Sequence, residues 1–284
     1  MDFRTAGVIG GGVMGADMAL DLSANGYQVI LLDISDEKLK AAEENIKKTF
    51  RLVQLMRKEK FSMSLEDVLD NIQFTTEPHN VEPADIIIEN VTEDWEIKKQ
   101  VYLQLKDICR EDAVYLVNTS CISITKVGSL MHRPEKVIGA HFMNPVPLKE
   151  LVEVIRGDAT SDETVNATVE FLKSFDKNPV VVHDLPGFVS NRVLMLTINE
   201  SIWTVQDQVA TPANVDKIFR GGFGHKMGPL ATADLIGLDT ILNSLLVLYE
   251  SYKDSKFRPC PLLVKMVDAG KLGRKSGQGF FQYS

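Results

Sequence analysis

The chain has 284 residues, 44% of them hydrophobic and 25% charged, an ordinary globular composition with room for two domains. A formal net charge of −8 disfavours a phosphate-binding surface over the whole protein, so no nucleic-acid partner is expected. No apolar run approaches the ~20 residues that span a bilayer, and the opening MDFRTAGVIGGG lacks the pattern of a secretion signal. The expectation is a soluble, cytoplasmic protein with no membrane partner. Cys109, Cys121 and Cys260 are odd in number and show neither metal-type nor redox-type spacing. Free thiols are expected, and no metal.

From the N-terminus, short β-branched runs alternate with longer amphipathic ones, which predicts βαβ units on a parallel sheet. The predicted strands are Thr5–Gly10, Gln28–Asp33, Asp85–Glu89, Val114–Asn118 and Lys136–Ala140. A further pair, Glu150–Ile155 and Pro179–Val182, flanks a helix over Ser161–Phe175. A long charged helix, roughly Asp36–Lys60, follows the second strand and carries Lys47, Lys48, Arg51, Arg57, Lys58 and Lys60. The turn-rich segment His183–Gly187 breaks this pattern. Beyond it Phe188–Val209, Pro212–Phe219, Ala231–Tyr252 and Pro261–Ala269 read as helices separated by Gly and Pro clusters. The fold class is therefore α/β, with a Rossmann-like, mostly parallel sheet domain over residues 1–184. An all-helical C-terminal domain over 185–284 is expected to contribute to a substrate cleft and to dimerisation.

The glycine loop Gly10-Gly11-Gly12-Val13-Met14-Gly15 fits G-x-G-x-x-G, with a strand before it and a helix, Val13–Ala24, after it. The first glycine suits the tight turn, the second lets backbone approach a pyrophosphate, and the third lets helix pack on strand. The helix N-terminus then offers N–H groups and a positive dipole end to the phosphates. Asp33 follows about 20 residues later, where a carboxylate accepts hydrogen bonds from a ribose diol and repels a 2′-phosphate, which favours NAD over NADP. The bland alternative is a plain glycine turn with a capping aspartate. Asp17, inside the first turns of the helix, has no explanation from this motif.

Among five histidines, His79, His132 and His183 read as loop or turn residues, and His225 lies in a tight turn, Gly221–Pro229. His141 differs: it follows a predicted strand and so stands at the carboxyl end of the sheet, where ligands collect. Glu153 interrupts the apolar run Leu151–Ile155, and a strand glutamate that is buried demands a cation or donor. A histidine that takes a proton during turnover is such a partner. An edge-strand glutamate facing water is the alternative.

The segments GVIGGGVMG, Asn118-Thr119-Ser120, HFMNP with LVEVIRG, PGFVSNR, GPLATADLIGLDT and LGRKSGQGFF run collinearly from end to end. Together they resemble the 3-hydroxyacyl-CoA dehydrogenases, nearest to the bacterial 3-hydroxybutyryl-CoA branch. The resemblance implies His141 as general base, Glu153 as its partner, and Ser120 at the substrate hydroxyl or nicotinamide. It implies Asn191 at the substrate oxygen and Asn144 beside the nicotinamide ribose. Glu93, Lys98 and Lys275 match positions that reach the cofactor, which is NAD. Taken as residues alone, Ser120 and Asn191 read equally well as helix caps.

The family holds its CoA partly through a serine and a lysine on the charged helix. Here Thr49 and Arg51 stand nearby, and Leu55 occupies a place where lysine is usual. Asn90–Trp95, Cys121 and the loop from Gly221 also depart from the pattern. VTEDW with HFMNPVPLK resembles a sub-branch of polyketide extender-unit pathways that oxidises small hydroxyacyl groups, such as glyceryl, on an acyl carrier protein. The expected partner is thus an acyl-CoA or acyl-carrier-protein thioester, and the basic helix suits either; plain solvated charge is its alternative. A homodimer is expected through the apolar helices of the second domain. A non-catalytic dinucleotide-binding or structural protein is the remote alternative, against which the intact His141, Glu153, Ser120 and Asn191 set argues.

Overall fold

The computed structural model describes residues 3–283; Met1, Asp2 and Ser284, at the ends of the two expected domains, lie outside the described residues. The chain divides into two units, Met1–Asp184 and Leu185–Ser284. The first carries an eight-stranded sheet of order β3-β2-β1-β4-β5-β6-β7-β8. Its strands are β1 (Thr5–Ile9), β2 (Gln28–Leu32), β3 (Ile72–Thr75), β4 (Ile86–Glu89), β5 (Val114–Asn118), β6 (Val137–Phe142), β7 (Leu151–Arg156) and β8 (Asn178–His183). All neighbours are parallel except β6 and β7, which run antiparallel.

The central strands are apolar along their whole length, as Ile86-Ile87-Ile88 illustrates, because helices cover both faces of a parallel sheet. Helix α1 (Val13–Ala24) is buried from Gly15 onward. Helix α2 (Asp36–Met56) lies against it and buries Leu39, Ala42, Ile46, Phe50 and Val53, a three-to-four-residue spacing that makes one apolar stripe. Ser35 caps α2 by accepting from Lys38 N, and Asp36 and Glu37 in the first turn suit the helix dipole. The remaining helices of this unit are α3 (Leu65–Asp70), α4 (Trp95–Leu105), α5 (Ile124–Gly128) and α6 (Asp162–Lys173).

Two differences from the sequence reading bear on the site. Strand β6 runs through Phe142, so His141 lies inside the strand rather than after its end. Strand β3 and helix α3 fill the stretch before Asp85 that the reading left without structure; β3 has only four residues, Ile72–Thr75, too few for a clear alternation.

The second unit is helical: α7 (Ser190–Gln206), α8 (Pro212–Phe223), α9 (Pro229–Ile236), α10 (Leu238–Tyr252) and α11 (Pro261–Asp268). Its core includes Met195, Ile198, Ile202, Leu238, Ile241, Leu245, Phe257 and Leu263. The single helix expected over Ala231–Tyr252 is two, bent by 97° at Gly237. Gly237 adopts φ +106°, a value that side-chain-bearing residues avoid, so the helix cannot pass through it. Asp216 caps α9 from a neighbouring helix, accepting from Leu230 N and Ala231 N at 2.9 Å each. Asp234 does the same for the C-terminal segment, accepting from Phe280 N, Phe281 N and the Tyr283 hydroxyl. Among the described residues no single helix is long and apolar enough to cross a membrane.

Candidate active site

The glycine loop connects β1 to α1. A Cβ on Gly15 would stand 1.8 Å from Gly10 O, so only glycine permits that approach of helix to strand. Gly10 has φ +92°, and a Cβ there would press on the Asn90 carbonyl at 3.0 Å. Gly12 is the N-cap of α1 and no side chain caps the helix, while nothing lies within 4 Å of where its Cβ would be. The N-terminus of α1 thus has neither a side-chain cap nor a side chain at its N-cap position, which suits an anion. Asp33 follows β2 directly; its Oδ2 accepts from Gly11 N at 2.6 Å and its Oδ1 from Ile34 N at 2.6 Å. These residues suit a dinucleotide with its pyrophosphate on α1.

The carboxyl ends of β4, β5 and β6 lie along the same sheet end. Antiparallel pairing sets His141 on β6 directly opposite Glu153 on β7. Directly opposed residues share a face of the sheet, so the two side chains meet: Nδ1 lies 2.9 Å from Glu153 Oε2. His141 is 8% exposed and Glu153 5%, which removes the water-facing alternative for that glutamate. A carboxylate can only accept, so Nδ1 carries the proton and Nε2 is left with its lone pair. Nε2 lies 3.1 Å from Ser120 Oγ, which can donate to it. The arrangement is a base, oriented on one side by a buried anion and open to a hydroxyl on the other.

Ser120 is held by a carboxylate the sequence reading placed at the cofactor. Glu93 Oε1 accepts from Ser120 N at 2.8 Å, Cys121 N at 3.1 Å and the Thr119 hydroxyl, so one oxygen gathers the whole turn after β5. Thr119 Oγ1 in turn accepts from Ile122 N at 2.9 Å. The N-cap of α5 is Ser123, not Ser120, whose alternative reading was that cap.

Lys98 is buried completely. Its ammonium bonds both oxygens of Glu89 at 2.8 Å and Asn118 O at 2.9 Å, and stands 3.6 Å from Glu93 Oε2. Its reach is therefore to the ends of β4 and β5, and through Glu93 to the Ser120 turn. Tyr102 adds a bond to Glu89 at 3.1 Å. Burial pushes the Glu89 carboxyl above its ordinary range, with Lys98 pulling it back. Asn118 Nδ2 donates to Asn90 Oδ1 at 2.7 Å, joining the β5 end to the turn after β4.

Glu89, Asn90, Thr119 and Tyr102 were not singled out in the sequence. For Glu89 the signal was present: a carboxylate closing the apolar run Ile86–Ile88 raises the same question that singled out Glu153. Asn144 is exposed in the turn after β6, before the short 3-10 turn Val146–Leu148. Thr49 and Arg51 lie on α2, Arg51 exposed and Thr49 half-buried. In the second unit, Asn191 lies in the first turn of α7, whose N-cap is Val189. Lys275 sits in the 3-10 turn Arg274–Ser276 with its ammonium 2.6 Å from Asp239 Oδ1. Among the described residues no cluster of three His, Cys, Asp or Glu side chains is set to hold a metal ion.

Comparison with known proteins gives consistent likenesses. A model of the 3-hydroxyacyl-CoA dehydrogenase NAD binding domain matches residues 5–185, and one of the C-terminal domain of the same family matches residues 187–283. A probable 3-hydroxybutyryl-CoA dehydrogenase of Deinococcus radiodurans is 44% identical over 98% of this chain and 99% of that protein. One of Bacillus subtilis is 42% identical over 100% and 98%. The crystal structure of (S)-3-hydroxybutyryl-CoA dehydrogenase from Ralstonia eutropha superposes with a TM-score of 0.94 at 38% identity, covering all of both chains.

Proposed function

The chain belongs to the 3-hydroxyacyl-CoA dehydrogenase family, and from that premise we propose the roles its residues play. The reaction is hydride transfer between NAD and C3 of a 3-hydroxyacyl-CoA of the 3-hydroxybutyryl-CoA type. His141 Nε2 takes the C3 hydroxyl proton as the C3–H bond breaks and its electron pair departs, leaving a C3 carbonyl. In reduction, the same nitrogen returns the proton to the incipient alkoxide. Glu153 stabilises the imidazolium and fixes the tautomer. When bound, the nicotinamide supplies the hydride acceptor and donor.

The observation that carries this reading is the cross-strand pair: a directed base with Ser120 Oγ 3.1 Å from its reactive nitrogen. The Ser120 hydroxyl marks where a substrate hydroxyl presents its proton. Gly10, Gly12, Val13, Met14 and Gly15 form the pyrophosphate turn, Asp33 serves the adenosine ribose, and Asn144 serves the nicotinamide ribose. Glu93 holds the Ser120 turn as well as facing the cofactor, with Lys98 behind it. Asn191 and Lys275 keep, on resemblance, their roles toward substrate oxygen and cofactor.

Names of the similar proteins favour a CoA thioester over a carrier-protein one. NADH absorbance with acetoacetyl-CoA, run beside a 3-oxoacyl carrier protein, tests this. Faster turnover of acetoacetyl-CoA is expected; turnover confined to the carrier-protein substrate would reverse the assignment, and turnover of neither would sink the reading. We further propose a homodimer through the second unit, where Val193, Ile218, Phe223 and Leu246 are exposed apolar side chains. Sedimentation is expected to give twice the chain mass at micromolar concentration, and a monomer there contradicts it.

A further inference from the structure

The glycine-loop helix carries two acids that neither the motif nor the chemistry above requires. Asp17 and Asp21 are four residues apart, so they share one face of α1, and they are 2% and 0% exposed. That face meets the 3-10 turn Val146–Leu148. A carboxylate buried without partners would cost too much to persist, so the partners define its purpose.

Both polar groups of the Val146 peptide are taken. Val146 N donates to Asp17 Oδ2 at 3.2 Å, and Val146 O accepts from Lys177 Nζ at 2.6 Å. The same ammonium donates to Lys149 O at 3.2 Å and stands 2.5 Å from Asp21 Oδ2. Val146 follows Asn144 and Pro145 directly, and Asn144 ends the segment that β6 and His141 begin. Lys177 lies just before β8, so a single ammonium ties together α1, the Val146 turn and the edge of the sheet. Burial raises the Asp17 and Asp21 carboxyls and lowers the Lys177 ammonium, with the Asp21–Lys177 attraction opposing burial on both sides. The geometry stands by itself: the buried side chains of Asp17 and Lys177 converge on the backbone of Val146, and the buried Asp21 carboxylate pairs with the same ammonium.

We infer that Asp17 and Lys177 are positioning residues that clamp the Asn144-Pro145-Val146 turn to the glycine-loop helix and thereby fix Asn144 for the dinucleotide. The inference rests on the cofactor role assigned to Asn144 above. The pyrophosphate turn and the Asn144 turn are then one rigid body, because the helix that begins at one is bonded to the backbone of the other. Loss of the clamp lets Asn144 wander relative to the phosphate site, and misplacement on the scale of an ångström weakens an oriented contact severely.

The test measures NADH dissociation constants by fluorescence with no thioester present, so failure of the proposed reaction leaves it readable. Asp17→Ala and Lys177→Met are each expected to raise the NADH Kd about tenfold. Asp17→Asn and Lys177→Arg, which keep an acceptor and a donor, are expected to recover most of that rise. In an Asn144→Ala background, Asp17→Ala is expected to have little further effect, because coupled residues are not additive. An unchanged Kd in the folded Asp17→Ala protein overturns the inference. So does a tenfold rise that survives intact in the Asn144→Ala background, which would make the cluster a support of the fold alone. If Lys177→Met fails to fold, the Asp17 and Asn144 cycle decides the matter by itself.

Discussion

Replacing His141 by glutamine is expected to lower kcat by about 10²–10⁴-fold, the usual contribution of a positioned general base, while NADH affinity stays within about threefold. Glutamine keeps the approximate length of the side chain and can still donate to Glu153 Oε2, which lies 2.9 Å from Nδ1 in the native pair. What it removes is a nitrogen able to gain and lose a proton. Glu153→Gln probes the same dyad from the other side. The glutamine amide can donate to the ring, so the neutral imidazole can reverse its tautomer and place a proton on Nε2, facing Ser120. A fall of at least about 10²-fold in kcat is expected there too. Steady-state rates and NADH titration of both variants are the measurement; near-native turnover of His141→Gln removes His141 from the base role.

Lys98→Met is expected to have the largest effect on stability. Lys98 and Glu89 are both fully buried and bonded at 2.8 Å, so removing the ammonium leaves an uncompensated carboxylate in the sheet's interior. Breaking a buried pair in this way costs about 3–5 kcal/mol, which for a domain of this size corresponds to a Tm lower by roughly 10 °C. The sign of its pH dependence follows from Glu89. Burial already raises that carboxyl in the folded chain, and Lys98 is the main attraction opposing it. Without Lys98 the folded pKa rises further above the unfolded one. Stability of the variant is then greatest below the ordinary carboxylate range and falls as pH rises through the raised folded value. Glu89→Gln added to Lys98→Met is expected to restore part of the lost Tm, since two neutral groups leave no buried charge. A Tm unchanged by Lys98→Met contradicts the account of that pair. Activity should fall as well, because Lys98 also holds the Asn118 carbonyl and stands beside Glu93.

Much of the parallel sheet was legible because its buried strands are continuous apolar runs of the right length, bounded by glycine and polar turns. His141 and Glu153 were each legible singly, one by its place after a strand and the other as a charge within one. Their partnership was expected from the charge a buried glutamate demands and from the resemblance; the geometry that achieves it was not legible, because it depends on β7 returning antiparallel to β6 in a particular register, and alternation along a strand does not reveal its direction. For Lys98 the resemblance implied a place at the cofactor; that its ammonium is buried against Glu89, nine residues earlier in the chain, was not legible, because the pairing depends on how α4 packs beside the end of β4. Asp17 was visible as an anomaly and lacked an explanation, because its partner, the Val146 N–H, is distant in sequence. The helix break at Gly237 was read through because Ile236 and Leu238 continue the apolar pattern on both sides, while the backbone there takes a conformation open to glycine.

The most direct test of the whole account is the fate of the hydrogen on C3. Oxidation of 3-hydroxybutyryl-CoA deuterated at C3, with unlabelled NAD in ordinary water, is expected to place one deuterium per turnover at nicotinamide C4 of the NADH formed. Loss of that deuterium to solvent would contradict direct hydride transfer, and with it the role assigned to His141 as the acceptor of the hydroxyl proton alone.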